Sequence, residues 1–187
     1  AEVERLTPIF SRYDTGSEIS RVNSGGNRGT EISRTFEEML ILAGEMSSRS
    51  DGMFEPTKQK DGLRHVSRTK MPAGDTRIMI LMDNGVTLDF DGIAKGYAVD
   101  RIVTILKNRG FDRALVNFGE SSIAALGAPN REPGWRIAVR DARRPSSAEQ
   151  AALTTLLLRE AVLSVSGAYE RGPHIVNPFT GKPPADS

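Results

Sequence analysis

The sequence predicts an α+β fold in which helices pack on a mainly antiparallel sheet. Strand-like stretches outnumber helical ones, and the helical patterns lie in the first 109 residues. The later strand-like stretches are separated by Gly, Pro and Asn, which favours short connections between neighbouring strands. The length of 187 residues suits one domain with its own core, so we expect residues 1–187 to form a single domain.

Two stretches have the apolar spacing of one helix face. Residues 32–46 place apolar groups three or four positions apart, and Thr30 or Ser33 can cap the start. Residues 93–109 carry a second apolar stripe, and Gly110 supplies the stop. We therefore predict a packing helix in the first stretch and the strongest helix of the chain in the second.

Strands are predicted mainly in the second half of the chain. Residues 77–82 and 86–90 read as a hairpin because Asn84 and Gly85 tolerate the backbone angles of a tight turn. Further strands are predicted at residues 114–118, 122–126, 135–140, 153–158, 161–166 and 174–176. Connections are predicted at residues 10–23, which read as a loop leading into a short turn, at 50–57, and at the polar stretch 143–150.

Charge and residue counts exclude several classes of protein and site. Lys and Arg total 25 against 24 Asp and Glu, a net charge of +1 with the signs interspersed, which argues against a nucleic-acid-binding protein. The absence of cysteine excludes disulfides, a thiol nucleophile and thiolate metal sites. The two histidines, His65 and His174, cannot form a three-histidine metal site. Because the chain begins without Met or an apolar leader, we expect a removed leader or an excerpt.

The residues around Gly92 are the most informative for chemistry. A predicted strand delivers Asp89, Asp91 and Gly92 to the start of the strongest helix, where main-chain N–H groups and the helix dipole favour an anion such as phosphate. Lys95 is poorly placed for the dipole, which is easier to explain if it contacts a bound anion. The alternative is a solvated Lys95, with Asp89 or Asp91 acting only as an N-cap.

A second polar cluster spans residues 164–181. It concentrates hydroxyl groups, an acid, an Arg and His174 between turn residues, a composition that often carries function. His174 could equally be a strand histidine that bonds a main-chain carbonyl.

Several short motifs follow one another along the chain. They are Ser11-Arg12-Tyr13, Ser17-Glu18-Ile19-Ser20-Arg21-Val22-Asn23, Asp51-Gly52-Met53-Phe54, Asp89 with Gly92-Ile93-Ala94-Lys95-Gly96-Tyr97-Ala98-Val99-Asp100, Asn117 with Gly119, Ser166-Gly167 with Tyr169-Glu170-Arg171, and His174-Ile175-Val176 with Pro178, Thr180 and Gly181. In this order they resemble the ApbE family of FAD:protein FMN transferases. The run that starts at Gly92 is the most specific of them.

The resemblance implies an ApbE-like, T-fold-related domain and a magnesium-dependent transferase. Such an enzyme splits FAD, transfers FMN to a Thr or Ser hydroxyl of a partner protein and releases AMP. The FAD-binding positions of the family fall on Asn23, Asp89, Lys95 and Val176. The catalytic positions fall on Lys95 and His174, and the main-chain oxygen that binds the metal falls on Gly92. Lys95 would face the diphosphate, and His174 could assist removal of the hydroxyl proton.

The resemblance also implies partners and a location. FAD would be the substrate, Mg²⁺ the cofactor, and the acceptor a flavoprotein subunit of a membrane respiratory complex. The family setting is the periplasm or the outer face of the cytoplasmic membrane, often as a lipid-anchored lipoprotein. The N-terminal strands and the C-terminal Ala-Asp-x-x-(Ser/Thr) metal segment of the family are expected to be missing.

Two departures from the family pattern bear on the site. Asp91 stands where the family usually has Gly, and Glu120 and Ser121 stand where it has Gly-Asp. Added carboxylates repel a diphosphate unless a cation intervenes. Either the metal site is rebuilt around Asp91 or flavin binding is weakened. Three hypotheses stay open: an active transferase, a non-catalytic flavin-binding relative, and a divergent domain without flavin.

Overall fold

The computed structural model describes residues 2–57, 59–70, 77–140, 152–166 and 175–182. The chain divides into two compact units, one of residues 1–94 with 173–187 and one of residues 95–172. A single domain over residues 1–187 stays a prediction.

The first unit combines three helices with a three-stranded antiparallel sheet. Its helices are α1 (Glu2–Phe10), α2 (Glu18–Gly25) and α3 (Arg34–Arg49), and its strands are β1 (Thr30–Ile32), β2 (Val66–Lys70) and β3 (Ile78–Met82). Short 3-10 helices lie at Gly26–Arg28 and Gly62–His65. The strand order is β1-β3-β2, with Thr30 opposite Ile80 and Val66 opposite Met82.

The predicted packing helix is confirmed as α3, with Ser33 as its cap. The Ser33 hydroxyl oxygen accepts a hydrogen bond from the main-chain N–H of Phe36 at 3.1 Å. Glu18 in turn accepts from the Ser33 hydroxyl at 2.9 Å. Ile32 lies in β1 instead of the helix, because the chain is extended up to the cap.

The loop predicted at residues 10–23 is wrong, because α2 begins within it. Ser17 caps α2 by accepting from the main-chain N–H of Ser20 at 3.2 Å. Ile19 and Val22 are buried on one face of this eight-residue helix. The polar composition of residues 10–23 suggests a loop, but the segment contains a helix cap, Ser17, followed by Ile19 and Val22 at helical spacing.

The predicted hairpin between residues 77–82 and 86–90 is also wrong. β3 pairs with β1 and β2, whereas residues 86–90 belong to no ladder. Val86, Leu88 and Phe90 are buried in alternation, as the sequence pattern requires. In this stretch the main chain of Leu88 bonds to the Asn23 side chain, and the N–H of Asp89 donates to the main-chain oxygen of Pro56.

Aromatic rings form the centre of the first unit. Phe36 lies with its ring centroid 5.4 Å from that of Phe90 and 6.3 Å from that of Phe10. Phe10 and Phe90 meet edge to face at 6.0 Å. The three phenylalanines come from α1, α3 and the segment that leads into the next helix, so the core fixes the position of that segment.

The helix predicted at residues 93–109 is confirmed as α4 (Asp91–Asn108), and the division between the units falls inside it. Gly110, with φ of +80°, follows its end. The strands of the second unit are β4 (Ala114–Phe118), β5 (Ser122–Leu126), β6 (Trp135–Arg140), β7 (Ala152–Leu158) and β8 (Ala161–Ser164). They match the predicted strands within two residues at each end.

Two antiparallel sheets make up the second unit, ordered β4-β5-β8 and β6-β7. Every residue of β5 is buried. The predicted α+β class with antiparallel pairing is therefore confirmed. The loop predicted at residues 143–150 lies outside the described residues, as does His174. Ile175 and Val176 are not in a strand, so that part of the last strand prediction is wrong. Within the described residues no helix has the length and apolarity to cross a bilayer.

Candidate functional site

The Asn23 side chain, called the Asn23 clasp, holds the segment that carries Asp89. The Asn23 amide nitrogen donates to the main-chain oxygen of Leu88 at 2.9 Å, and the Asn23 amide oxygen accepts from the Leu88 N–H at 2.7 Å. The next N–H, that of Asp89, donates to the main-chain oxygen of Pro56 at 2.7 Å. Three hydrogen bonds thus place Asp89 immediately before α4.

Asp89 also organises the first turn of α4. One oxygen of its carboxylate accepts from the main-chain N–H of Asp91 at 2.8 Å. The N–H groups of Ile93 and Ala94 both donate to the main-chain oxygen of Phe90, at 2.9 and 2.8 Å. Because these donors are engaged, an anion near this helix start depends more on side-chain charge than on open N–H groups.

Arg12 lies between the two carboxylates of this segment. Its Nη1 is 3.2 Å from Asp89 and its Nε is 2.9 Å from Asp91. Its Nη2 donates to the Tyr13 hydroxyl at 3.0 Å. The Tyr13 hydrogen bond and then the two carboxylates raise the pKa of Arg12 above its ordinary value, against the effect of burial. Arg12 is therefore the cation that offsets the added charge of Asp91.

Gly92 occupies the second position of α4 next to an aromatic ring. A Cβ atom at this position would lie 3.2 Å from Cε2 of Phe54, a tight contact. Among the described residues no three His, Cys, Asp or Glu side chains group to hold a metal ion. The oxygens of Asp89, Asp91 and the Gly92 main chain nonetheless have the hard-donor chemistry that Mg²⁺ prefers.

Lys95 belongs to the second unit, where its ammonium group contacts a hydroxyl. Nζ donates to Oγ of Ser121 at 2.5 Å, and both residues are partly buried. Ser121 lies in the turn between β4 and β5, and its main-chain oxygen accepts from the N–H of Val165 at 2.9 Å. Lys95 therefore differs from the solvated lysine of the alternative interpretation, because it is partly buried and donates to the Ser121 hydroxyl.

The model of the ApbE family matches residues 1–187, the whole chain. The chain belongs to the ApbE family. A protein named FAD:protein FMN transferase from Treponema pallidum is 32% identical over 132 residues, covering 62% of this chain and 35% of the relative. A protein of the same name from Klebsiella pneumoniae is 26% identical over 218 residues, covering 98% of this chain and 61% of the relative.

A solved structure shares the fold of this ApbE-family chain. The crystal structure of the ApbE protein from Thermotoga maritima aligns with a TM-score of 0.80 at 24% identity, covering 97% of this chain and 67% of that one. The chain thus spans about 61% of the Klebsiella relative and about two thirds of the Thermotoga structure.

The structure brings some of the predicted ApbE-family site residues together. Asn23 bonds the main chain of Leu88, the residue before Asp89, and Gly92 lies in the first turn of α4. Val176 is 40% exposed in the first unit, ahead of a turn in which Asn177 accepts the N–H of Gly181 at 2.8 Å. The FAD, metal and catalytic roles of these residues stay predictions.

Two contacts of the site escaped sequence reasoning. Arg12 lies in a motif of the family resemblance that assigns it no role, and Ser121 stands out in the sequence only as a departure from Gly-Asp. The sequence has no local signal for the ion pairs of Arg12, because Asp89 and Asp91 lie 77 and 79 positions further along the chain. The departure from Gly-Asp at Ser121 is the one signal in the sequence, and it does not indicate that this residue contacts Lys95.

Proposed function

We propose that this ApbE-family chain transfers FMN from FAD to a Thr or Ser hydroxyl of a target protein and releases AMP. The observation that carries the proposal is the Lys95 ammonium group in the second turn of α4, with the neutral Ser121 hydroxyl as its partner. A lysine bonded to a hydroxyl keeps its positive charge for an anion such as the diphosphate of FAD. The family relationship supports the same reaction.

The transfer is a phosphoryl substitution. The acceptor hydroxyl oxygen forms a bond to the phosphorus of the FMN half, the bridging P–O bond breaks, and AMP leaves with the bridging oxygen. The hydroxyl proton passes to a base, for which His174 is the candidate. Lys95 offsets negative charge on the diphosphate as it develops, since catalysis of such steps consists mainly of positioning and charge stabilisation.

Further residues would bind the flavin nucleotide and the metal. Asp89 and Asn23 would contact FAD, and Val176 would line the flavin site. Mg²⁺ would be held in part by the main-chain oxygen of Gly92, and when bound it would supply positive charge to the phosphates. Arg12 would prevent Asp89 and Asp91 from repelling the diphosphate.

The acceptor and the location are part of the proposal. We infer a flavoprotein subunit of a membrane respiratory complex as acceptor. The corresponding location is the periplasm or the outer face of the cytoplasmic membrane, with a lipid anchor. The family resemblance supports these inferences.

The deciding experiment incubates the full-length protein with FAD, Mg²⁺ and an acceptor subunit bearing a target Thr. Mass spectrometry should show the acceptor gaining one FMN, and Lys95→Ala should lower the rate at least about a hundredfold. Lys107→Ala is the matched control, because Lys107 lies on the same helix and faces Glu160 at 3.8 Å. Bound flavin without transfer would favour a non-catalytic relative, and no bound flavin would favour a divergent domain.

A further inference from the structure

The connection between β4 and β5 holds Ser121 firmly. The ladder pairs Phe118 with Ser122, so residues 119–121 form the whole connection. Gly119 and Glu120 have φ of +61° and +57°. The side-chain oxygen of Asn117 accepts the Glu120 N–H at 3.0 Å, which closes the turn.

Val165 holds Ser121 from the other side. Its N–H donates to the Ser121 main-chain oxygen at 2.9 Å, just beyond the end of β8. Ser121 is thus fixed through its main chain, while its side chain is free to accept from Lys95 at 2.5 Å. A hydroxyl held in this way restricts where the long lysine side chain can place its ammonium group.

The hydrogen bond to Ser121 leaves most of the ammonium group available. An ammonium group has three N–H donors, and one hydrogen bond to Ser121 leaves two for another acceptor.

We propose that Ser121 is a positioning residue that holds the Lys95 ammonium group in place for a phosphate of the bound nucleotide. This inference rests on the proposed function, since it names how Lys95 is prepared for the diphosphate. Ser121 itself acts through Lys95.

The test compares three substitutions at Ser121. Ser121→Ala removes the hydrogen bond and should raise the Kd for FAD about tenfold, the effect of losing one hydrogen bond to a charged group. Ser121→Thr keeps the hydroxyl and should stay within about twofold of the unchanged protein. Ser121→Val has nearly the shape of Ser121→Thr but no hydroxyl, so it should raise the Kd about tenfold.

Riboflavin, which has no phosphate, serves as the second probe. Its affinity should be the same in all three variants if Ser121 acts through Lys95, whereas a general defect in folding would weaken both probes. Thr104→Ala is the control, because the Thr104 hydroxyl donates to the main-chain oxygen of Asp100 on the same helix at 2.8 Å. Fluorescence of Trp135, the single tryptophan, monitors folding of the second unit in every variant.

Three results would overturn the inference, and they are distinguishable. If Lys95→Ala loses FAD affinity and Ser121→Ala does not, the positioning role is wrong and the proposed function stands. If the unchanged protein binds no FAD, both are wrong. Equal losses of FAD and riboflavin affinity in Ser121→Ala and Ser121→Val would also refute the role.

Discussion

The side-chain amide of Asn23 forms two hydrogen bonds with the main chain of Leu88, one through each polar atom. A neighbouring strand would bond Leu88 in the same manner, so this side chain takes the place of a strand. The bonds join residues 65 positions apart and place the following residue, Asp89, ahead of α4.

Removal of the Asn23 clasp should destabilise the first unit and weaken nucleotide binding together. Asn23→Ala should lower the free energy of unfolding by about 2 kcal/mol, from two partly buried hydrogen bonds of about 1 kcal/mol each. Asn23→Asp should be at least as harmful, because a carboxylate cannot donate to the Leu88 oxygen. Urea unfolding followed by circular dichroism measures the change. Asn84→Ala, in an exposed turn, should stay within about 0.5 kcal/mol.

Arg12 and Asp91 should show measurable coupling. A double-mutant cycle with Arg12→Ala and Asp91→Asn should give a coupling free energy of about 0.5–1 kcal/mol, since their side chains are 42% and 38% exposed. The coupling should shrink at high salt. A value of zero at low salt would mean that the 2.9 Å pair does not persist in solution.

The same pair should affect FAD affinity. Arg12→Ala should weaken FAD binding because the charges of Asp89 and Asp91 then act on the diphosphate. Asp91→Gly should relieve part of that loss when combined with Arg12→Ala. Isothermal titration of the single and double variants tests this, and equal affinity in all of them would rule out an electrostatic role for Arg12.

Glu120 has a left-handed backbone conformation, which favours glycine. Its φ is +57°. Glu120→Gly should therefore raise the free energy of unfolding by about 0.5–1 kcal/mol. Glu132→Gly is the matched control, because Glu132 is not among the residues of positive φ, and it should be neutral or destabilising. Thermal unfolding followed by Trp135 fluorescence compares the two.

Asp100 should make stability depend on pH. Burial raises the pKa of this carboxyl above its ordinary value of 3.8. The folded protein therefore binds a proton more tightly than the unfolded chain, and ionisation of Asp100 destabilises the fold. This penalty is absent below pH 3.8 and grows to its full size as pH rises through the raised pKa.

Asp100→Asn should remove the penalty. Its Tm should exceed that of the unchanged protein at pH 7, and the difference should vanish near about pH 3. The residue as a whole is solvent-exposed, so the gain should be small. Differential scanning calorimetry at several pH values measures it, and a Tm difference that stays constant with pH would show that the carboxyl is not responsible.

Elements with a strong local pattern could be predicted from the sequence. The apolar stripe before Gly110 predicted α4, and short strand-like stretches bounded by turn residues predicted β4, β5 and β6. These patterns depend on near neighbours in the chain, so the sequence shows them directly. The motif around Gly92 likewise identified the segment of the candidate site. The family match over residues 1–187 shows the family, and the roles of the site residues stay predictions.

Contacts between distant residues were decided only by the tertiary structure. Residues 86–90 have the alternation of a strand, yet they join no ladder, and the Asn23 side chain bonds the main chain of Leu88 instead. Arg12 reaches two carboxylates far along the chain, and Ser121 reaches Lys95 through a turn. Local sequence determines whether a segment is helical or extended, but the partner of a polar group depends on which groups the folded chain brings within about 3 Å.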